Sequence, residues 1–113
     1  MKISNIIDII EDVKNGEIVI IIDDESRENE GDLVCAADLV TPEIINFMAS
    51  KGKGLICLPM SNDLCRKYDL QMMTSNNRAA NKTAFTVSIE AADGITTGIS
   101  AADRAHTIKT AVD

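Results

Sequence analysis

At 113 residues the chain has room for one small domain and too few for two, so residues 1–113 are expected to be a single domain. A formal charge of −7 with eleven scattered Lys and Arg excludes a duplex nucleic-acid surface, which needs clustered cations. No secretory leader pattern and no apolar run of membrane-spanning length is present, and the three cysteines lack CxxC spacing, so a cytoplasmic protein without a disulfide framework or zinc ribbon is expected.

The first element is an amphipathic helix, with Ile3, Ile6, Ile7, Ile10 and Val13 at helical spacing, Ser4 as cap and Asn15-Gly16 as the stop. Glu17 to Ile22 is a β-branched run that predicts a buried strand, and Leu33 to Ala37 predicts another. Between them Asp23-Asp24-Glu25-Ser26-Arg27-Glu28-Asn29-Glu30-Gly31-Asp32 crowds acidic side chains around one guanidinium. Like charges held so close repel unless a cation neutralises them, which makes this loop a candidate seat for Mg²⁺ or Mn²⁺ with oxygen ligands. A calcium EF-hand is excluded, because placing Gly31 at its sixth position leaves Ser26 at the first and Ala37 at the twelfth. Glu30 is either a proton shuttle or a solvated neighbour.

Thr41-Pro42 caps a second helix that ends near Ser50, with Ile44, Ile45, Met48 and Ala49 on its apolar face. After the Lys51-Gly52-Lys53-Gly54 turn, Leu55 to Leu58 predicts a buried strand stopped by Pro59. Cys57, between Ile56 and Leu58, has the surroundings of a small buried hydrophobe. Ser61 caps a short helix through Tyr68. Met72 to Lys82 is polar and turn-rich, either a lid over a site or a surface loop. Thr83 to Glu90 alternates, predicting a half-buried strand with Phe85, Val87 and Ile89 inward. Ser100 and Asp103 resemble a capping box that opens a last helix over Ala101 to Val112. The hydroxyls and Gly98 before it could hold an anion or simply cap the helix. Together these elements predict an α/β or α+β domain with helices on a mixed sheet.

The acidic run and Gly94-Ile95-Thr96-Thr97-Gly98-Ile99-Ser100-Ala101-Ala102-Asp103-Arg104 closely resemble two signature runs of the 3,4-dihydroxy-2-butanone 4-phosphate synthases of riboflavin biosynthesis. Gly54-Leu55-Ile56-Cys57 and Phe85-Thr86-Val87-Ser88-Ile89-Glu90-Ala91 are similar to that family too, in the same order. The resemblance implies a Mg²⁺-dependent (or Mn²⁺-dependent) lyase that turns D-ribulose 5-phosphate into 3,4-dihydroxy-2-butanone 4-phosphate and formate, acting as a cytoplasmic homodimer. It further implies that Glu28 is the metal ligand and also faces the sugar, and that Arg27 and Asp32 contact substrate. Asp23, Cys57 and Thr97 would lie in or near the pocket, Asp23 and Cys57 as catalytic candidates and Thr97 as a substrate contact.

The resemblance covers the family's N-terminal half only. Members are nearly twice as long, and a His in a Gly-Gly-His-Thr-Glu run and a later Glu complete their site. His106, the sole histidine here, lies in the last helix and does not match that ligand. Weak or absent turnover by this chain alone is therefore expected, together with an exposed sheet edge. Two other readings stand beside the enzyme: a non-catalytic module pairing with an intact synthase subunit, and a plain divalent-metal or sugar-phosphate binder.

Overall fold

The structure, a computed structural model, describes residues 2–113. The first helix, α1, runs over Ile6–Lys14. Its cap is Asn5 rather than the expected Ser4: Asn5 keeps an extended backbone, and its Oδ1 accepts the Ile7 N–H at 2.9 Å. The predicted apolar stripe exists, but Ile6, Ile7 and Ile10 are exposed.

Gly16, at φ 82°, turns the chain into β1, Val19–Ile22, which pairs antiparallel with β2, Gly31–Val34, in the register Val19 to Val34 and Ile22 to Gly31. This hairpin replaces the two longer strands expected over Glu17 to Ile22 and Leu33 to Ala37. The Asp23 N–H donates to the Glu30 carbonyl at 3.2 Å, which closes the loop at its base and draws Gly31 and Asp32 into the ladder. At the other end Ala37–Leu39 coils into a 3₁₀ turn, so β2 stops at Val34. Only Val19 of β1 is buried, not the whole run.

The core lies between α2, Pro42–Phe47, and the last helix, α4, Ala101–Val112. Val40, Ile45 and Ala105 are its buried centre, with Cys35, Ile44, Ile56, Ala101 and Ile108 packed around them. Thr41 Oγ1 accepts the Ile44 N–H at 3.2 Å and Pro42 begins the helix, as expected from the sequence. A π-type turn over Met48–Gly52 follows. The short helix α3, Asn62–Lys67, is capped by Ser61.

Helices beside a sheet make this the expected α+β fold, but the sheet is not mixed: among the described residues the one named sheet is the two-stranded antiparallel hairpin. Residues 55–58 belong to no strand, and Leu55 is 79% exposed instead of buried. Residues 85–89 make a single bridge, Met72 to Thr86, supported by the Val87 N–H on the Gln71 carbonyl at 2.9 Å. The expected inward face is not buried: Phe85, Val87 and Ile89 are exposed, as are Ser88 and Glu90, and Thr86 alone of the five from 85 to 89 is half-buried. An unpaired or singly bridged segment is marginal by itself, and among the described residues these two have little beyond that one bridge.

Hydrogen bonds to α4 fix the approach to it. Thr107 Oγ1 accepts the Ala91 N–H at 3.0 Å, and His106 Nε2 lies 3.0 Å from the Asp93 carbonyl. Gly94 follows at φ 77°, where a Cβ would sit 2.7 Å from His106 Nε2. Gly94→Ala is expected to destabilise the fold by about 1–3 kcal/mol, combining left-handed strain with the clash. Adding His106→Ala should restore part of the loss and no more, because the backbone strain remains; thermal unfolding of the two variants measures both effects.

Candidate active site

Asp23 organises the acidic loop. Its Oδ1 accepts the Glu30 N–H at 2.8 Å, its Oδ2 accepts the Glu28 N–H at 2.9 Å, and Arg27 Nε lies 3.2 Å from Oδ2. The Glu30 and Glu28 amides, then the Arg27 charge, hold the Asp23 carboxyl below the usual carboxylate range. Inside this bracket Asp24 makes a second turn. It accepts the hydroxyl and N–H of Ser26, which lower its pKa as well, and its carbonyl accepts the Arg27 N–H at 3.0 Å. Asn29 takes the left-handed conformation, φ 51°, that lets the loop return to β2.

This geometry presents Glu28. Its Oε1 receives Arg27 Nη1 at 3.2 Å and Asn81 Nδ2 at 3.2 Å, so its chain neighbour and a residue 53 positions away hold one carboxylate oxygen. Glu28, through hydrogen bonding and like-charge repulsion, pushes the Glu30 carboxyl up. Two interacting carboxyls of this kind either share a proton or are neutralised by a cation. Hard oxygen donors suit Mg²⁺, but among the described residues no group of three His, Cys, Asp or Glu side chains converges. The residues therefore fit part of a divalent ion's shell.

The Asn81 contact bears on the polar stretch before it. Asn77 Nδ2 donates to the Thr83 carbonyl at 2.9 Å, and Lys82 Nζ donates back to the Asn77 carbonyl at 2.6 Å, so residues 77–83 form a compact loop with Asn81 directed at Glu28. Of the two readings open for Met72 to Lys82, this favours a segment belonging to the site. Asn81 has no spacing signal in the sequence; only its place in that stretch hinted at it.

The remaining candidates lie around this centre. Asp32, on β2, is exposed and close enough to Cys57 to act on it: partial burial first, then the Asp32 charge, push the Cys57 thiol up, leaving it protonated at neutral pH. Cys57 is an exposed residue, not the buried hydrophobe its neighbours suggested, because residues 55–58 have no covering strand. Thr97 is exposed, and no hydrogen bond or ion pair joins it to the acidic loop among the described residues.

The turn bearing Thr97 is built on Asp103, which is buried. Its Oδ2 accepts Thr96 Oγ1 at 2.7 Å, the Gly98 N–H at 3.0 Å and the Thr96 N–H at 3.2 Å, and its own N–H donates to Ser100 Oγ at 3.0 Å. Half of the expected capping box is thus present. The carboxylate turns to the 96–98 loop rather than to the Ser100 amide, and it takes the donors that an anion would have used. These donors, the Thr96 hydroxyl foremost, hold Asp103 below the usual range. Gly98, at φ 81°, has the Glu90 carboxylate where a Cβ would project.

Acidic bracket, Asp103 turn and the segments between them run in one order along known proteins. The family model for 3,4-dihydroxy-2-butanone 4-phosphate synthase matches residues 7–113. The chain belongs to this family. It is 62% identical over 110 residues to the synthase of Neisseria meningitidis serogroup B, which covers 97% of this chain and 30% of that one. A riboflavin biosynthesis protein RibBA of Cytophaga hutchinsonii is 52% identical over 114 residues, covering 100% of this chain and 28% of its own length. Among solved structures, a synthase in complex with two magnesium ions superposes with a TM-score of 0.94 at 43% identity, covering 98% of this chain and 52% of that one. The chain thus spans about a third of the curated relatives and about half of that synthase.

Because Asp23 is held below its ordinary value of 3.8, its support of the loop is complete above about pH 4 and is lost as pH falls through the folded value. The protection factors of the Glu28 and Glu30 amides, their exchange relative to the intrinsic rate at each pH, should accordingly be high and constant from pH 5 to 8. In Asp23→Asn, which turns one acceptor into a donor facing an N–H, the protection of both amides is expected to fall throughout that range.

Proposed function

We propose that this chain supplies the acidic-loop half of a 3,4-dihydroxy-2-butanone 4-phosphate synthase site, acting on D-ribulose 5-phosphate and releasing formate. The observation that carries the reading is the Asp23 bracket presenting Glu28 beside Glu30, in a chain whose family match runs from residue 7 to residue 113. Mg²⁺, or Mn²⁺, would be held by Glu28 with Glu30 alongside, and when bound it would supply Lewis-acid polarisation of the sugar carbonyl.

The chain's own residues do the rest of this half's work. Glu30, whose carboxyl is pushed up by Glu28 beside it, takes the role of proton shuttle in this reading. Asp23, with both oxygens committed to backbone amides, shapes the loop and is a poor proton acceptor at neutral pH. Arg27 remains 57% exposed while touching two carboxylates, so its guanidinium can also meet an anionic or hydroxyl group of the substrate. Asp32 and Thr97 are exposed and free to accept or donate to sugar hydroxyls, with the protonated Cys57 thiol near Asp32. By the same resemblance the complete assembly is a cytoplasmic homodimer; none of the described helices is long and apolar enough to cross a membrane.

With one pair of carboxyls and no third ligand converging among the described residues, half a site should bind better than it turns over. Calorimetric titration of the 113-residue protein with D-ribulose 5-phosphate is expected to give heat only when Mg²⁺ is present, and Glu28→Gln should abolish it. Absence of that heat from the folded wild-type protein would dispose of the proposal. Formate release by the chain alone should be at or near the chelator-treated baseline.

A further inference from the structure

Residues 71–87 form a narrow antiparallel arm. The Val87 N–H donates to the Gln71 carbonyl and the Met73 N–H to the Phe85 carbonyl, both at 2.9 Å, on either side of the Met72–Thr86 bridge. Side chains tie the tip. Asn77 Oδ1 accepts the Ala79 N–H at 3.0 Å, Asn77 Nδ2 donates to the Thr83 carbonyl, and Lys82 takes the left-handed conformation at φ 53°.

Burial does not set where this tip lies, because of residues 71–85 only Asn77 is even partly shielded from solvent. Among the described residues, the 3.2 Å bond from Asn81 Nδ2 to Glu28 Oε1 is the one hydrogen bond or ion pair that joins residues 72–85 to the chain outside the arm. The reach of the arm thus ends on a single carboxylate oxygen.

That oxygen also receives Arg27 Nη1, so the second oxygen of Glu28 takes neither bond. The two donors differ in kind. Arg27 brings a positive charge that it shares with Asp23, whereas Asn81 brings a neutral amide, which fixes orientation without cancelling the charge that attracts a cation. The neighbouring ammonium of Lys82 is folded back onto the Asn77 carbonyl at 2.6 Å, so the tip meets Glu28 with an amide and not with a cation.

We propose that Asn81 is a positioning residue for Glu28: carried by the arm, its amide sets the orientation in which that carboxylate meets a hard divalent cation. This rests on the reading of Glu28 as a metal ligand, while the contact itself is measured without metal. Ligating carboxylates are held by outer hydrogen-bond partners, and removing such a partner lowers metal affinity about 10–100-fold.

The test compares Asn81→Leu, which keeps the side-chain volume and removes the donor, with Asn81→Gln, which keeps the amide on a longer stem. In the metal-free protein, nuclear Overhauser contacts should join the Asn81 side-chain amide to the Glu28 γ-methylene. The order parameter of that methylene should fall in Asn81→Leu and recover in Asn81→Gln. In calorimetry with D-ribulose 5-phosphate and Mg²⁺, Asn81→Leu should bind about 10-fold more weakly than wild type, and Asn81→Gln should regain most of the loss. Protection of the Met73 and Val87 amides should be the same in all three proteins, since those bonds lie within the arm. The proposal is overturned if the metal-free contact is absent, if Asn81→Gln binds as weakly as Asn81→Leu, or if the arm amides lose protection along with affinity, which would make Asn81 a builder of the arm alone. Heat from the wild type that Asn81→Leu leaves unchanged overturns this proposal by itself. No heat from the wild type overturns the reading of Glu28 and this proposal with it.

Discussion

Everything the acidic loop can do depends on one carboxylate accepting two backbone amides. A ten-residue stretch dense in negative charge has every electrostatic reason to splay into solvent. Asp23 opposes this by spending both of its oxygens on the Glu28 and Glu30 N–H groups, while Arg27 screens the two carboxylates nearest to it. The loop then exits directly into the β1–β2 ladder, so the charge cluster is bolted to the hairpin rather than tethered to it. Loop and strand length are set by the same bond network, and that network is why β2 starts two residues before the apolar run does.

Asp103 plays the corresponding role at the other end of the site. Three donors from Thr96 and Gly98 meet one buried carboxylate oxygen, and the turn bearing Thr97 is fixed by that contact and not by packing. A phosphate cannot also use those donors. The two carboxylates therefore act alike, each stabilising a loop whose outward-facing neighbours are left free for chemistry.

The helices were legible because local rules govern them. Thr41-Pro42, Ser61 and Ser100 all cap where the pattern placed them, and the one slip, Ser4 for Asn5, exchanged two equally good caps. The acidic loop was legible as a site but not in its wiring, since nothing in the spacing says that Asp23 will be buried in amide bonds or that Asn81 will reach Glu28 across 53 positions. Strand identity failed for a nonlocal reason. Leu55 to Leu58 and Phe85 to Ile89 carry a proper strand pattern, but a strand is a property of a pair, and the pattern cannot report whether the neighbour is in the same chain. The motif order identified the family more securely than the periodicities identified the sheet.

The packing of α2 on α4 has a consequence for folding. Ile45 and Ala105 meet across a long intervening stretch, so the core closes one large chain loop whose closure entropy is overcome once, by contacts outside it. Most of the segments that carry Cys57, Asn81 and Thr97 lie inside that loop and contribute little to holding it shut. They form a region of low local stability suspended from a firmer clasp, free to open and re-form while the clasp persists. Order can then be lost and regained within that region without the core having to unfold and fold again.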